Sequence, residues 1–398
     1  MRSLRAAARK HIGTAFMKRF LSFAGTGKTY VAAAIAAWAI GTVGASCSKE
    51  RHSAQGGLTG GESTFNIALK TGTFAGTALD GGQMAETETK VIPAAGMHED
   101  EMANIWVLQF DASGACVRSK YYASYDPDNF PVTLSNGTAQ TVAFVANTFD
   151  PDLFNGYAGT WSAFQTLTRR VSEATLHTGE GAADRYLPIS GIYKGDITAA
   201  GLPAAVQMKR AVAKVRITWS VDLATAGDRF VPTRLQLCQA AAVQSFLEQQ
   251  SGAGLYPVAA AENFASYEAV NDPAAGTYTW YVAENRRGTG SGSTPFDKSA
   301  ETAQSGQGPY CTYVEVQGRY TFAEGAEADL SYKFYIGADV LSDYNVVRNN
   351  IYDLTVRIVG ANASDARISV VSAGGYWGVD LEDASAGVTG DSGEVRFD

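Results

Sequence analysis

The chain has 398 residues, 45% of them hydrophobic and 11% aromatic, enough apolar material for two domains of ordinary size with real cores. Its formal net charge of −8 argues against a nucleic-acid surface, which needs clustered Lys and Arg to meet phosphates. Only 18% of residues are charged while 42 are Gly, a balance that disfavours amphipathic helices and favours strands joined by turns.

The first stretch reads as a targeting signal. Met17, Lys18 and Arg19 give a positive start, residues 30–43 an apolar run, and Gly44, Ala45 and Ser46 a small-residue cleavage site directly before Cys47. A secretory signal ending at a Cys is the layout of a bacterial lipoprotein. The apolar run is too short, and too poor in Leu and Ile, to read as a membrane span of about 20 residues. Residues 1–46 are then removed, with the true start at Met1 or Met17, and Cys47 carries lipid. The competing reading is an ordinary free Cys after an N-terminal helix. Gly25-Thr26-Gly27-Lys28-Thr29 has the ending of a phosphate-binding loop, but the pattern needs Gly where Ser22 stands.

Residues 47–62 are polar and Gly-rich and read as a tether. In 63–70 the alternation begins: Phe65, Ile67 and Leu69 share one face while Thr64, Asn66 and Lys70 share the other, a half-buried strand. Residues 71–103 carry little pattern and read as a long loop. An apolar strand at 105–110 is closed by the turn-forming residues 111–114, and 117–125 can pair back as a hairpin arm. A short strand follows at 141–146, and 158–178, with Phe164, Leu167 and Val171, has the best helical spacing in the chain. The clearest strand is 206–219, with Ala211, Ala213, Val215, Ile217 and Trp219 on one face and Arg210, Lys214, Arg216 and Thr218 on the other. A domain boundary is expected just after it, giving an N-terminal domain over 63–224 and a C-terminal one over 225–398.

The second half repeats the style, with strands at 234–244, 277–283, 310–322, 330–336, 351–359 and 368–372. The run 286–309 is long, polar and rich in Gly, Ser and Thr, so it reads as a mobile or recognition loop. Many short strands with turn signals and almost no helix predict an all-β protein of two tandem β-sandwich domains.

Catalytic chemistry has no foothold in the residues. A site needs a base or nucleophile with an orienting partner. Of the four histidines, His11 lies in the signal, His52 in the tether, and His98 and His177 in expected loops, none at metal-ligand spacing. His98-Glu99-Asp100-Glu101 is the densest acidic cluster and reads as a solvated loop. Asp126-Pro127-Asp128 and Asp150-Pro151-Asp152 supply too few oxygens for calcium and read as turns. Cys116, Cys238 and Cys311 cannot all pair within one chain; small buried side chains are the simpler reading, though export permits one disulfide. No catalytic residue, cofactor site or metal site is assigned.

Several stretches together resemble the fimbrillin family, the lipoprotein subunits of type V pili. Phe65-Asn-Ile-Ala-Leu-Lys-Thr71 is similar to the family's first strand, and Trp106-Val-Leu-Gln-Phe-Asp-Ala-Ser-Gly114 to its strand-turn signature. Val142-Ala-Phe-Val-Ala-Asn147 resembles its strand ending in Ala-Asn, and Met208-Lys-Arg-Ala-Val-Ala-Lys-Val215 the strand closing its N-terminal domain. Tyr281-Val-Ala-Glu-Asn285 and Val347-Arg-Asn-Asn-Ile-Tyr-Asp353 match two C-terminal-domain motifs. The resemblance implies two transthyretin-like β-sandwiches, an outer-membrane precursor anchored through Cys47, and assembly with other subunits by donor-strand exchange. Phe65, Ile67 and Leu69 are then the displaceable strand whose removal opens a groove.

Two departures from the family's pattern stand out. Family members are commonly cut by an Arg-specific protease in the loop after the first strand, yet no Arg lies between Arg51 and Arg118, and Lys90 is the one Lys or Arg of the long loop over 71–103. The chain also continues past Tyr376-Trp377 through residues 378–398, where Val395 and Phe397 alternate as in a donor strand or a frayed tail. Both features tilt the expectation towards a tip or accessory subunit over a stalk subunit, serving adhesion to a host or bacterial surface. The alternative is a monomeric surface lipoprotein that binds glycan or protein through its loops, 286–309 first among them. A hydrolase needs a cleft joining His98 or His177 to a carboxylate and a nucleophile.

Overall fold

Strand formers punctuated by turn residues give an almost wholly β structure, seen in a computed structural model that describes residues 61–70, 96–176, 185–202, 205–249 and 254–372. Among the described residues there is one α-helix, Trp161–Gln165, with three single 3-10 turns. No helix among them is long and apolar enough to cross a membrane. The expected all-β class is the class observed.

The first sheet has six strands in the order Leu69–Lys70, Val206–Arg210, Ile189–Ile197, Gly137–Ala146, Ile105–Phe110, Cys116–Tyr122. Glu62–Asn66 and Pro131–Ser135 form a separate antiparallel pair. Ile105–Phe110 is buried along its whole length because the sheet is covered on both faces. One face carries Ile105, Val107, Phe144 and Met208 into a core shared with Val132 and Leu134 of the two-stranded pair. The other carries Trp106, Leu108, Phe110 and Val145 against Phe154, Phe164, Phe246 and Leu247. Gln109, fully buried in this apolar strand, is satisfied on both ends: its Nε2 donates to Ser135 O (2.8 Å) and its Oε1 accepts from Ser135 N (2.9 Å).

The helix expected over 158–178 is only five residues long. Thr160 caps its start, Thr166 ends it, and Thr168–Arg170 then pairs as a strand with Val243–Ser245. The apolar residues with helical spacing serve different cores: Phe164 packs under the first sheet, and Val171 joins Met97, Leu187, Val212 and Tyr281. β-Branched Thr and Val after position 165 favour that switch.

The second sheet system is a sandwich. A six-stranded sheet, ordered Phe264–Ala265, Ala240–Ala241, Gly276–Ala283, Val212–Val221, Asn350–Gly360, Ala363–Ser372, faces a four-stranded one, ordered Val270–Asn271, Arg229–Cys238, Tyr313–Thr321, Glu327–Tyr335. Val215, Ile217, Trp219, Leu354 and Val356 from the first meet Leu235, Leu237, Val314 and Val316 from the second. The strong strand signal at 206–219 is two strands. Val206–Arg210 pairs in the first sheet and Val212–Val221 in the second, parallel to Asn350–Gly360, with the crossing at Ala211. Val212–Val221, before the expected boundary at 224/225, is thus a central strand of the second sheet. All described residues belong to one compact unit.

The segment 286–309 differs from the mobile loop expected of it. Asn285–Thr289 pairs with Asp343–Val346, and Arg287, Lys298 and Gln307 are buried. Internal partners draw the buried ones in and hold the backbone: Arg287 Nη1 donates to Gln307 Oε1 (2.9 Å), and Gly288 N to Asn345 Oδ1 (2.8 Å). Gly308 is required by close packing, since a Cβ there would lie 2.0 Å from Ala300 O.

Lys298 donates to Asp339 O (2.5 Å), and burial pushes its ammonium down to about 8, against the pull of Asp339 and Asp343. An unfolded lysine holds its proton to about pH 10.4, so between pH 8 and 10 this group is more protonated in the unfolded chain and its contribution to stability rises with pH. The slope is at most about 1.4 kcal/mol per pH unit. The buried thiols of Cys116 and Cys311 from about pH 8.5, and tyrosines such as Tyr352 and Tyr267 from about pH 10, are held protonated by burial and act in the opposite direction. Urea unfolding at pH 7, 8, 9 and 10 checks this as a difference: the wild type gains stability relative to Lys298→Met over that range.

Candidate functional site

The first strand is the sequence-predicted site that the structure describes most fully. It is not continuous over 63–70. Glu62–Asn66 pairs antiparallel with Pro131–Ser135, setting Phe65 opposite Val132. Leu69–Lys70 pairs parallel with Val206–Arg210, setting Leu69 opposite Val206. Between them the chain steps from one layer to the edge of the other, guided by Ile67 N donating to Phe130 O (3.1 Å) and Val206 N donating to Ala68 O (2.9 Å). The inward alternation survives the step: Ile67 is 3% exposed, Leu69 7%, and Phe65 half-buried.

This strap is held by edges, not enclosed by strands. Its outer face is polar: Thr64 and Thr133 share a hydroxyl hydrogen bond (2.7 Å), Asn136 Nδ2 donates to Ser63 Oγ (3.0 Å), and Arg118 pairs with Glu62. Such exposed links contribute little each, so burial of three apolar side chains carries the attachment. Without the strap, Pro131–Ser135 loses its strand partner and Val206–Arg210 the one on its outer edge, and Val132, Leu134, Val206 and Met208 line an apolar groove between them. An extended peptide with alternating apolar side chains fits that shape.

Cys47, Lys90, His177, Tyr376, Trp377 and residues 378–398 lie outside the described residues. Among the described residues no group of His, Cys, Asp and Glu is placed to hold a metal ion. Asp126 and Asp150 make turns, their Oδ1 atoms accepting from Asp128 N (3.0 Å) and Asp152 N (3.1 Å). Cys116, Cys238 and Cys311 are free thiols; burial pushes that of Cys116 up to about 11 and that of Cys311 up to about 12, which makes both poor nucleophiles. A cavity lined by Asn147, Thr148, Arg169, Gln244 and Ser245 has about 10 Å³, room for a water and not for a ligand.

The acidic cluster at 98–101 is a correction. Met97–His98 is a short strand parallel to Arg185–Tyr186, and His98 stacks on Tyr186 at 4.5 Å. Glu99 is 7% exposed, and its Oε1 accepts from Lys214 Nζ (2.6 Å), itself fully buried, and from Tyr281 OH. Arg210 donates through Nε to Glu99 O (2.7 Å) and pairs with Asp100. Burial pushes the Lys214 ammonium down while Glu99 pulls it back up. Glu99 is drawn inside because a buried charge needs a partner, and Lys214 of Val212–Val221 and Arg210 of Val206–Arg210 bring the cations.

The motifs that carry the family resemblance converge here. Asn349 Oδ1 accepts from Arg210 N (3.2 Å), and Glu284 pairs with Arg348 (3.1 Å) and Arg286 (2.6 Å). Arg348 reaches Ser245 Oγ (2.6 Å). Asn147 Nδ2 donates to Leu187 O (2.7 Å) and Glu101 O (2.8 Å), and its Oδ1 accepts from Ala103 N (2.8 Å). Asn147, Arg210 and Lys214 clasp residues 99–103 to both sheets, and Arg348 links Glu284 to Ser245; together they are a structural junction.

The family described as Domain of unknown function (DUF4906) matches residues 280–356, which hold Glu284, Asn285, Arg348 and Asn349. No curated protein matches the chain. Among solved structures, the chain is similar to the tip fimbrial protein Mfa3 from Porphyromonas gingivalis, solved with a C-terminal truncation. The identity there is 19%, over 69% of this chain and 96% of that one, with a TM-score of 0.46. A fimbrial assembly protein from Parabacteroides distasonis gives 16% identity over 72% and 90%, with a TM-score of 0.38. A candidate cell adhesion protein from the same organism gives 12% identity over 78% of this chain and 95% of that one, with a TM-score of 0.51. By fold, then, the chain is an all-β protein that shares its architecture with that Parabacteroides protein over 78% of its length.

Proposed function

We propose that the chain is a structural or tip subunit of a type V pilus that serves adhesion. In this reading it is exported as a lipoprotein through Cys47, held at the outer membrane as a precursor, and assembled into the fimbrium with other subunits by donor-strand exchange. It has no catalytic role. The observation that carries the reading is the strap over 61–70, an edge-held segment whose Ile67 and Leu69 plug the first core and which runs straight into 71–95. Cutting that stretch, for which Lys90 is the candidate position, frees a ten-residue plug and opens a groove for a neighbour's strand. Contact with a glycan or protein through 286–309 has less support, because that segment's polar side chains are largely spent on internal partners.

The test is the N-terminal sequence and intact mass of protein recovered from outer membranes and from sheared surface filaments. The expected filament form begins beyond Leu69, and the membrane form carries lipid on Cys47. Protein found in membranes only, with 61–70 retained, overturns the reading.

A further inference from the structure

Beneath Phe65 the groove has a feature that the other two plug positions lack. Gly201, buried in the turn that links Ile189–Ile197 to Val206–Arg210, lies flat against the Phe65 ring. A Cβ on Gly201 would stand 3.3 Å from both Cγ and Cδ2 of that ring, closer than side chains normally approach. Its φ of +102° and the hydrogen bond from Gly201 N to Thr198 O (3.0 Å) shape the turn. The turn conformation already favours Gly, and the missing Cβ has a second consequence. Any side chain is strained at this φ, and one placed here would also occupy the space the ring now fills.

We propose that Gly201 is a specificity-determining residue of the strand-binding groove: it leaves an open-sided slot that selects an aromatic side chain at the position Phe65 fills. The inference rests on the donor-strand reading above and deepens it. The occupant is an extended strand carrying an aromatic residue, then apolar residues two and four positions on, as in Phe65, Ile67 and Leu69. Ile67 and Leu69 sit in closed apolar surroundings, which accept any side chain of suitable volume. The Phe65 slot is half-open and floored by backbone, so a flat ring fills it and a branched aliphatic chain leaves it partly empty.

The experiment uses the full chain with a site-specific protease sequence inserted within 71–95. After cutting, the strap is exchanged for labelled synthetic peptides of residues 61–70, and the protein is checked for retained β structure by circular dichroism. The wild-type protein is expected to bind the native peptide about tenfold more tightly than the F65A or F65L peptide, the size of a half-buried ring. In Gly201→Asn the preference is expected to collapse to within about twofold, because the native ring loses its slot while the F65A peptide does not. A tenfold preference that persists in Gly201→Asn overturns the role of Gly201. Folded, cut protein that takes up no peptide at all overturns the donor-strand reading and this proposal with it. Should Gly201→Asn fail to fold, the wild-type series decides: equal binding of native, F65L and F65A peptides overturns the aromatic slot.

Discussion

Lys214→Met is expected to lower the unfolding free energy by about 3–5 kcal/mol in denaturant titrations at neutral pH. The size comes from what the substitution leaves behind. Glu99 is 7% exposed, and without Lys214 its carboxylate keeps the Tyr281 hydroxyl and the through-space pull of Arg210. The ammonium also lies 5.6 Å above the Tyr281 ring, an attraction that Met forfeits. Removing one member of a buried pair is costly because the survivor is desolvated and unpaired, whereas removing both is far milder. The double substitution Glu99→Met with Lys214→Met should therefore recover most of the loss, which separates an unpaired charge from a simple packing defect. A loss under about 1 kcal/mol for Lys214→Met alone would mean that the pair is wet and weak.

Ile67→Asp and Leu69→Asp should each cost more than about 3 kcal/mol, since each deletes a buried apolar side chain and drives a carboxylate into an unpaired apolar site. The milder Ile67→Ala and Leu69→Ala changes belong in the range of about 2–5 kcal/mol. Phe65→Ala should cost less than either, because Phe65 is half-buried where the other two are closed in. That ranking is itself a test, read from the midpoints of thermal or urea unfolding. On the proposed function, a strap carrying charges at all three positions also abolishes recovery of the protein in sheared filaments. Unchanged melting and assembly with all three charged would remove the strap from both roles.

The plug was legible in the sequence because it is a local pattern. Phe65, Ile67 and Leu69 alternate, and a strand's side chains alternate with them whether or not the backbone keeps one partner throughout. The break after Asn66, where the chain changes layers, was not legible. It depends on Phe130 O and on Val206 N, which are remote in sequence. The same limit explains the misread helix. Phe164, Leu167 and Val171 have the right spacing, but the spacing says nothing of Val171 leaving for a different core.

Polar segments were harder still. His98 to Glu101 and residues 286–309 read as solvated because charge and Gly usually stay in water. Glu99 goes inside only because Lys214, 115 residues on, arrives beside it. Arg287 does so because Gln307 and Pro257 O accept from it. The quoted motifs marked these residues as special without saying that their work is to join two sheets.

What the sequence by itself determined is the all-β class, the alternation of the strap and the turn chemistry of Asp126 and Asp150, all written in residues within a few positions of one another. Only the tertiary structure decided which charges are buried, where Val206–Arg210 hands over to Val212–Val221, and that Gly201 meets the Phe65 ring. The physical reason is range. Apolar periodicity acts between neighbours along the chain, while the desolvation of a charge or the close approach of a ring is balanced by groups that only folding brings together.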